Sequence, residues 1–126
     1  MTTRTVLIAD DDPQVRQALR VRLEAMGYRV LECFDGLGAI AKGHDQRVDA
    51  IILDHEMPLG EGRDIATSIR AFTDAPIIFL SGHDREEFRE IVTRLPEAYY
   101  LPKPLEEGRL QTLLESVTQT TGWRAG

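Results

Sequence analysis

The chain of 126 residues has a single cysteine, only three histidines, and no apolar run near the ~20 residues that a bilayer-crossing helix needs. One thiol, Cys33, cannot close an internal disulfide, so a reducing compartment is the default. His44, His55 and His83 are scattered and fall into no zinc-ligand spacing with it. Positive charge is in deficit: 15 Lys and Arg against 21 Asp and Glu leave a net charge of −6. A surface of that sign repels phosphate backbones, which argues against direct nucleic-acid binding. The opening residues show no signal-peptide layout, because Asp10, Asp11 and Asp12 cut short the first apolar stretch. The expectation is a cytoplasmic protein without membrane insertion. Repeats, low-complexity segments and Pro/Gly-rich linkers are also missing. One domain is expected over residues 1–126, with its core at 4–118 and no output domain.

What is present is an alternation of short apolar runs with helical patterns. Val6-Leu7-Ile8-Ala9 reads as a first strand. Asp12 then stands as a helix cap ahead of Pro13. Val15, Ala18, Leu19, Leu23 and Met26 share the apolar face of that helix, and Gly27 ends it. Tyr28 to Cys33 is a second strand, and its Arg29 and Glu32 suit a sheet edge. A helix from Asp35 to Gln46 follows, weakened by Gly36, Gly38 and Gly43. Ala50-Ile51-Ile52-Leu53 is a third strand running into Asp54. The next helix carries Ile65, Ile69 and Phe72. Pro76 to Leu80 is a fourth strand. Asp84 and Glu87 then sit at capping-box spacing before a helix with Phe88, Ile91, Val92 and Leu95 on one face. Tyr99-Tyr100-Leu101 is a fifth strand. A last helix carries Leu110, Leu113, Leu114 and Val117 and frays near Gly122. Strands that are almost purely apolar need cover on both faces, so the pattern predicts a three-layer, doubly wound α/β domain with a parallel sheet. Ligands of such domains bind beyond the carboxyl ends of the strands, where the strand order reverses.

Those ends collect a particular set of side chains. The first strand delivers Asp10, Asp11 and Asp12, the third Asp54, the fourth Ser81 and the fifth Lys103. Two carboxylates 4 Å apart repel by roughly 4 kcal/mol at an effective dielectric of 20. A cluster of Asp10, Asp11 and Asp54 therefore calls for a cation beyond the single Lys103. An all-oxygen site suits Mg²⁺. Lys103 supplies a mobile point charge and Ser81 a hydroxyl for phosphoryl oxygens, with the Asp54 carboxylate as nucleophile. Taken singly, Asp12 reads as a cap, Ser81 as a turn serine and Lys103 as a solvated charge. Their coincidence at four strand ends is what points to phosphoryl chemistry.

From Thr5 to Val117 the sequence resembles the receiver domain of bacterial two-component response regulators. The resemblance rests on Val6–Pro13 as an acidic opening, Leu53-Asp54-His55-Glu56-Met57-Pro58, Gly62, Phe79-Leu80-Ser81-Gly82 and Tyr100-Leu101-Pro102-Lys103-Pro104. It implies a flavodoxin-like (βα)5 fold of strand order 2-1-3-4-5. It implies Asp54 as the phosphoacceptor. It further implies Mg²⁺ held by Asp11, Asp54 and the backbone carbonyl of Glu56, with Asp10 acting mainly through water. Ser81 and Lys103 would hold the phosphoryl group, Tyr100 would be an aromatic switch, and the Lys103-Pro104 bond would be cis. The implied partners are a histidine kinase or histidine phosphotransfer protein as donor and a downstream protein target. That target would be read through the face of the fourth helix, fifth strand and fifth helix. The implied state is a monomer or a weak, phosphorylation-dependent dimer.

Some positions depart from the family pattern. Pro96-Glu97 replaces a common Gly-Ala before the fifth strand, Leu105 a frequent Phe, and Gly82 a common Ala. Glu56 and His83, each two residues beyond a site residue, are candidates for tuning aspartyl-phosphate hydrolysis. Competing readings are weaker. A receiver excised from a hybrid kinase or longer regulator keeps the same site. An aspartyl-nucleophile phosphohydrolase would need a cap domain. A flavin-binding protein needs a Gly/Ser/Thr-rich first loop where this chain has three aspartates. A degenerate receiver used only for docking conflicts with a complete site.

Overall fold

The five apolar runs form five parallel strands, and the segments between them turn helical. The computed structural model describes residues 3–54, 62–82, 89, 92–106 and 108–125, with the backbone alone at 62–63 and 119–125. In order these are β1 (Thr5–Ala9), α1 (Pro13–Ala25), β2 (Arg29–Cys33), α2 (Gly36–Asp45) and β3 (Ala50–Asp54). They continue with α3 (Gly62–Arg70), β4 (Ile77–Ser81), β5 (Ala98–Pro102) and a C-terminal helix (Arg109–Ala125). Between β4 and β5, Arg89 and residues 92–94 are helical, as the apolar spacing there predicts. Asp84, Glu87, Phe88 and Ile91 lie outside the described residues.

The sheet runs β2-β1-β3-β4-β5, the order expected. Right-handed crossovers then dictate the layers. The chain steps from β1 to β2 in one direction and from β2 back past β1 to β3 in the other. Opposite steps place α1 and α2 on opposite faces and open a crevice between the carboxyl ends of β1 and β3. Side-chain alternation along each strand serves both layers. Leu7, Ile51, Leu53, Ile77 and Phe79 pack with Ala39 of α2 and with Ile65 and Ile69 of α3. Val6, Ile8, Ile52, Ile78 and Leu80 pack with Leu19 and Leu23 of α1 and with Leu110 and Leu114 of the C-terminal helix. Each such aliphatic side chain contributes about 1.5–3 kcal/mol on burial, so the sheet is a rigid base for whatever its carboxyl edge carries.

Local signals explain the boundaries. Asp12 caps α1, its carboxylate accepting from Gln14 N at 2.9 Å, with Pro13 in the first turn. Gly27 closes it at φ 95°, donating to Glu24 O. Asp35 caps α2 by accepting from Gly38 N at 2.7 Å. Gly38 and Gly43 of α2 are packing residues. A Cβ at Gly38 would lie 3.1 Å from Cys33 Cβ, and one at Gly43 would lie 3.4 Å from the Phe72 ring.

The expectations for Ala18 and for the start of β4 need correction. Ala18 is exposed rather than core-facing. At 100° per residue it lies about 95° from the mean direction of Val15, Leu19, Leu23 and Met26. The C-terminal helix, expected to fray near Gly122, is helical through that residue to Ala125. A mid-helix glycine costs about 1 kcal/mol but keeps its N–H, so the ladder continues. β4 starts at Ile77 rather than Pro76, whose carbonyl accepts from Ile51 N while its nitrogen cannot donate.

Candidate functional site

Strand register fixes which residues meet at the carboxyl edge. Ala9 is paired with Leu53 across β1 and β3, so Asp10 and Asp54 follow as neighbours at the mouth of the crevice. Asp54 in turn pairs with Leu80, and Ser81 with Pro102, which brings Lys103 to the same edge. The main chain reinforces this: Lys103 N donates to Ser81 O at 2.8 Å, and the Lys103-Pro104 bond is cis.

Asp10, Asp11 and Asp54 each offer a carboxylate oxygen, and these lie within 4.8 Å of one another. Their environments differ. Asp11 is exposed, whereas Asp10 and Asp54 are only 2% and 4% accessible. Oδ1 of Asp54 accepts from the Lys103 ammonium at 3.1 Å. Oδ1 of Asp10 accepts from Asp12 N at 2.9 Å, while its Oδ2 is buried with no hydrogen-bond partner. Burial is the main reason the Asp10 carboxyl rises to about 6. The Asp12 N–H lowers it, the charge of Asp54 raises it further, and Lys103 offsets part of the rise.

Among the described residues, a buried carboxylate oxygen without a donor, beside two more carboxylates and one ammonium, makes a site short of positive charge. Hard oxygen donors at this spacing fit a small divalent cation such as Mg²⁺, which keeps several of its waters. Asp12 stands apart: it is the cap of α1 and not part of the cluster. Ser81 is fully buried at the end of β4. Tyr100 is half-buried and packs against the layer that holds α2 and α3. Glu56 and His83 lie outside the described residues.

One contributor escaped the sequence reading. The Arg16 guanidinium donates to the carbonyl of Asp10 at 2.7 Å and pairs with Glu32 at 3.4 Å. It tethers the acidic loop to β2. No spacing rule singles out an arginine six residues past an aspartate, so only the folded chain reveals it. Cys33 is buried, its thiol pushed up to about 11 by burial, and it is inert near neutrality.

Comparison with known proteins agrees with this geometry. A family model described as the response regulator receiver domain matches residues 6–115. A probable transcriptional regulator of Guillardia theta is 32% identical over 120 residues, covering 95% of this chain and 47% of its own length. The transcriptional regulatory protein ResD of Bacillus subtilis is 32% identical over 124 residues, covering 95% and 52%. The chain thus spans about half the length of the curated relatives it matches. Among solved structures, a chemotaxis protein of Vibrio cholerae is 28% identical with a TM-score of 0.84, covering 92% of this chain and 99% of that one. The receiver domain of a sensor histidine kinase from Pseudomonas aeruginosa, solved with magnesium coordinated in its active-site cleft, is 29% identical. Its TM-score is 0.83, and the match covers 94% and 99% of the two chains. No helix among the described residues is long and apolar enough to cross a membrane.

Proposed function

The chain belongs to the response regulator receiver domain family of two-component systems, and from that membership we propose that Asp54 accepts a phosphoryl group from a phosphohistidine donor. The observation that carries the proposal is the pairing of a buried Asp54 with Lys103 at 3.1 Å beside the unpartnered Oδ2 of Asp10. An aspartate whose only role was structural would not need the two further carboxylates held against it.

The chain's own residues divide the work. Asp54 is the nucleophile: one carboxylate oxygen forms the new P–O bond as the P–N bond of phosphohistidine breaks. The imidazole nitrogen leaves with the bonding pair. Asp10 and Asp11, with Asp54 and the main-chain carbonyl of Glu56, would hold Mg²⁺. When bound, that ion neutralises the charge that gathers on the phosphoryl oxygens. Lys103 trades its contact with Asp54 for a phosphoryl oxygen, and the Ser81 hydroxyl donates to another. Loss of the Lys103 contact and capture of Ser81 alter the ends of β4 and β5 together. That couples the site to Tyr100 and to the face of the segment after β4, β5 and the C-terminal helix, where a downstream protein would bind. Glu56 and His83 are assigned to tuning the rate at which water removes the phosphoryl group.

Profiling phosphotransfer from histidine kinases of the host, with Asp54→Asn as control, tests the reading. Rapid transfer from one kinase to the wild type and none to Asp54→Asn supports it. Equal labelling of both proteins contradicts it.

A further inference from the structure

Two large apolar side chains stand in solvent on the same edge as the acidic crevice: Phe34 is 66% exposed and Leu37 69%. Their position follows from register. Cys33 is paired with Ala9, and Ala9 with Leu53, so the next residues along, Phe34, Asp10 and Asp54, form one row across the carboxyl edge. At one strand spacing per step, Phe34 begins about 10 Å from Asp54. Leu37 lies in the first turn of α2.

The turn that carries them is held firmly. Asp35 accepts from Gly38 N at 2.7 Å. Gly38 approaches so closely that a Cβ there would meet Cys33 Cβ at 3.1 Å, and Cys33 itself is buried beneath. With the first turn of α2 pressed onto the sheet, Leu37 has nowhere to fold inward, and Phe34 leaves the end of β2 directly. A preorganised apolar pair loses little freedom when covered, which favours it as a binding anchor.

Resting on the reading that Asp54 is the phosphoacceptor, we propose that Phe34 and Leu37 are the apolar anchor on which a folded phosphohistidine donor docks. The argument is one of reach. A donor histidine on a protein surface can meet Asp54 only if the surrounding surface covers this edge. A standard interface takes about 800 Å² from each partner, a disc of about 16 Å radius. A pair starting about 10 Å from its centre therefore falls inside the footprint. The surface beside the pair is acidic, with Asp11 and Asp12 both exposed. The matching donor face is an apolar hollow flanked by Lys or Arg close to its phosphohistidine.

The test compares a protein donor with a donor too small to touch the pair. Wild type and Phe34→Ser/Leu37→Ser are each phosphorylated with phosphoramidate and Mg²⁺. Each is also treated with the autophosphorylated host kinase or phosphotransfer protein that reacts fastest with the wild type. Both positions are exposed, so the fold is retained, and Leu37→Ser alone gives a milder variant. The expected result is unchanged phosphoramidate labelling with protein-donor transfer slowed about tenfold or more. Equal transfer to both proteins overturns the anchor. So does labelling by phosphoramidate but by no host protein. A concentration-dependent dimer of the wild type that the double variant lacks assigns the pair to a second copy of the chain and also overturns donor docking. Failure of phosphoramidate to label either protein removes the phosphoacceptor reading instead.

Discussion

The ammonium of Lys103 lies 3.1 Å from Oδ1 of Asp54, joining the end of β5 to the end of β3 across β4. In the resting chain this places a cation directly against that carboxylate. Lys103→Ala leaves the cluster with less compensation. Without metal, it should lower stability by roughly 1–3 kcal/mol. It should slow phosphorylation by phosphoramidate about 10²-fold or more, as expected for loss of a charge aimed at the transferring group. Urea unfolding and a labelling time course measure the two effects. A variant with unaltered labelling would remove Lys103 from the mechanism.

The buried carboxyl of Asp10 makes metal-free stability depend on pH in an unusual direction. Its folded value, about 6, lies above the ordinary carboxyl value of 3.8, so the folded chain binds this proton more tightly than the unfolded one. The Asp10 contribution therefore grows as pH falls from 7 through 6 and levels off near 4. Its size is at most about 3 kcal/mol. Metal-free protein should thus show its Asp10-dependent gain between pH 7 and 5, and Asp10→Asn should hold that gain at pH 7 and lose the pH response. Saturating Mg²⁺ should stabilise the wild type more at pH 7 than at pH 5, because proton and cation compete. Thermal melts at matched ionic strength decide it.

Glu97 adopts φ 54°, the left-handed region. It stands directly before β5. It is held by its carbonyl, which accepts from Ile77 N at 2.9 Å, and by its carboxylate, which accepts from the Tyr99 hydroxyl at 2.9 Å. A left-handed non-glycine residue costs about 1–2 kcal/mol. Glu97→Gly should relieve that strain while losing the tyrosine contact, for a net change between zero and about 1 kcal/mol of stabilisation. Glu97→Val should destabilise by about 1–2 kcal/mol, since a β-branched side chain resists this backbone further. Chemical denaturation of the pair checks the ordering.

Two glycines of α2 should answer alanine in opposite ways. At Gly38 the new Cβ meets Asp35 Oδ1 at 3.0 Å and Cys33 Cβ at 3.1 Å. The helix would have to lift from the sheet, at a cost of about 1–3 kcal/mol. At Gly43 the nearest atom is the Phe72 ring at 3.4 Å, and that half-buried side chain can adjust. There the gain in helix propensity, up to about 1 kcal/mol, should prevail. Equal effects from the two substitutions would contradict the packing described for α2.

The strands and the site residues at their ends were readable because each rests on a local rule, whereas the strand order came from the family resemblance. Apolar runs mark strands, and Asp54, Ser81 and Lys103 follow their strands closely in sequence. What escaped depends on where side chains finish in space. Ala18 looks like a core residue by composition, yet its helical angle turns it to solvent. The unpartnered oxygen of Asp10, the tether from Arg16 and the exposed pair Phe34 and Leu37 leave no mark in sequence spacing. Gly122 is a poor helix former, but its retained N–H lets the helix run on to Ala125.

The most direct test of the account is intact-mass and peptide mapping of the chain after reaction with phosphoramidate and Mg²⁺. One alkali-labile, hydroxylamine-sensitive phosphoryl adduct is predicted, mapping to Asp54, absent without Mg²⁺ and absent in Asp54→Asn. An adduct on another residue of the wild type, or an undiminished adduct in Asp54→Asn, would contradict it.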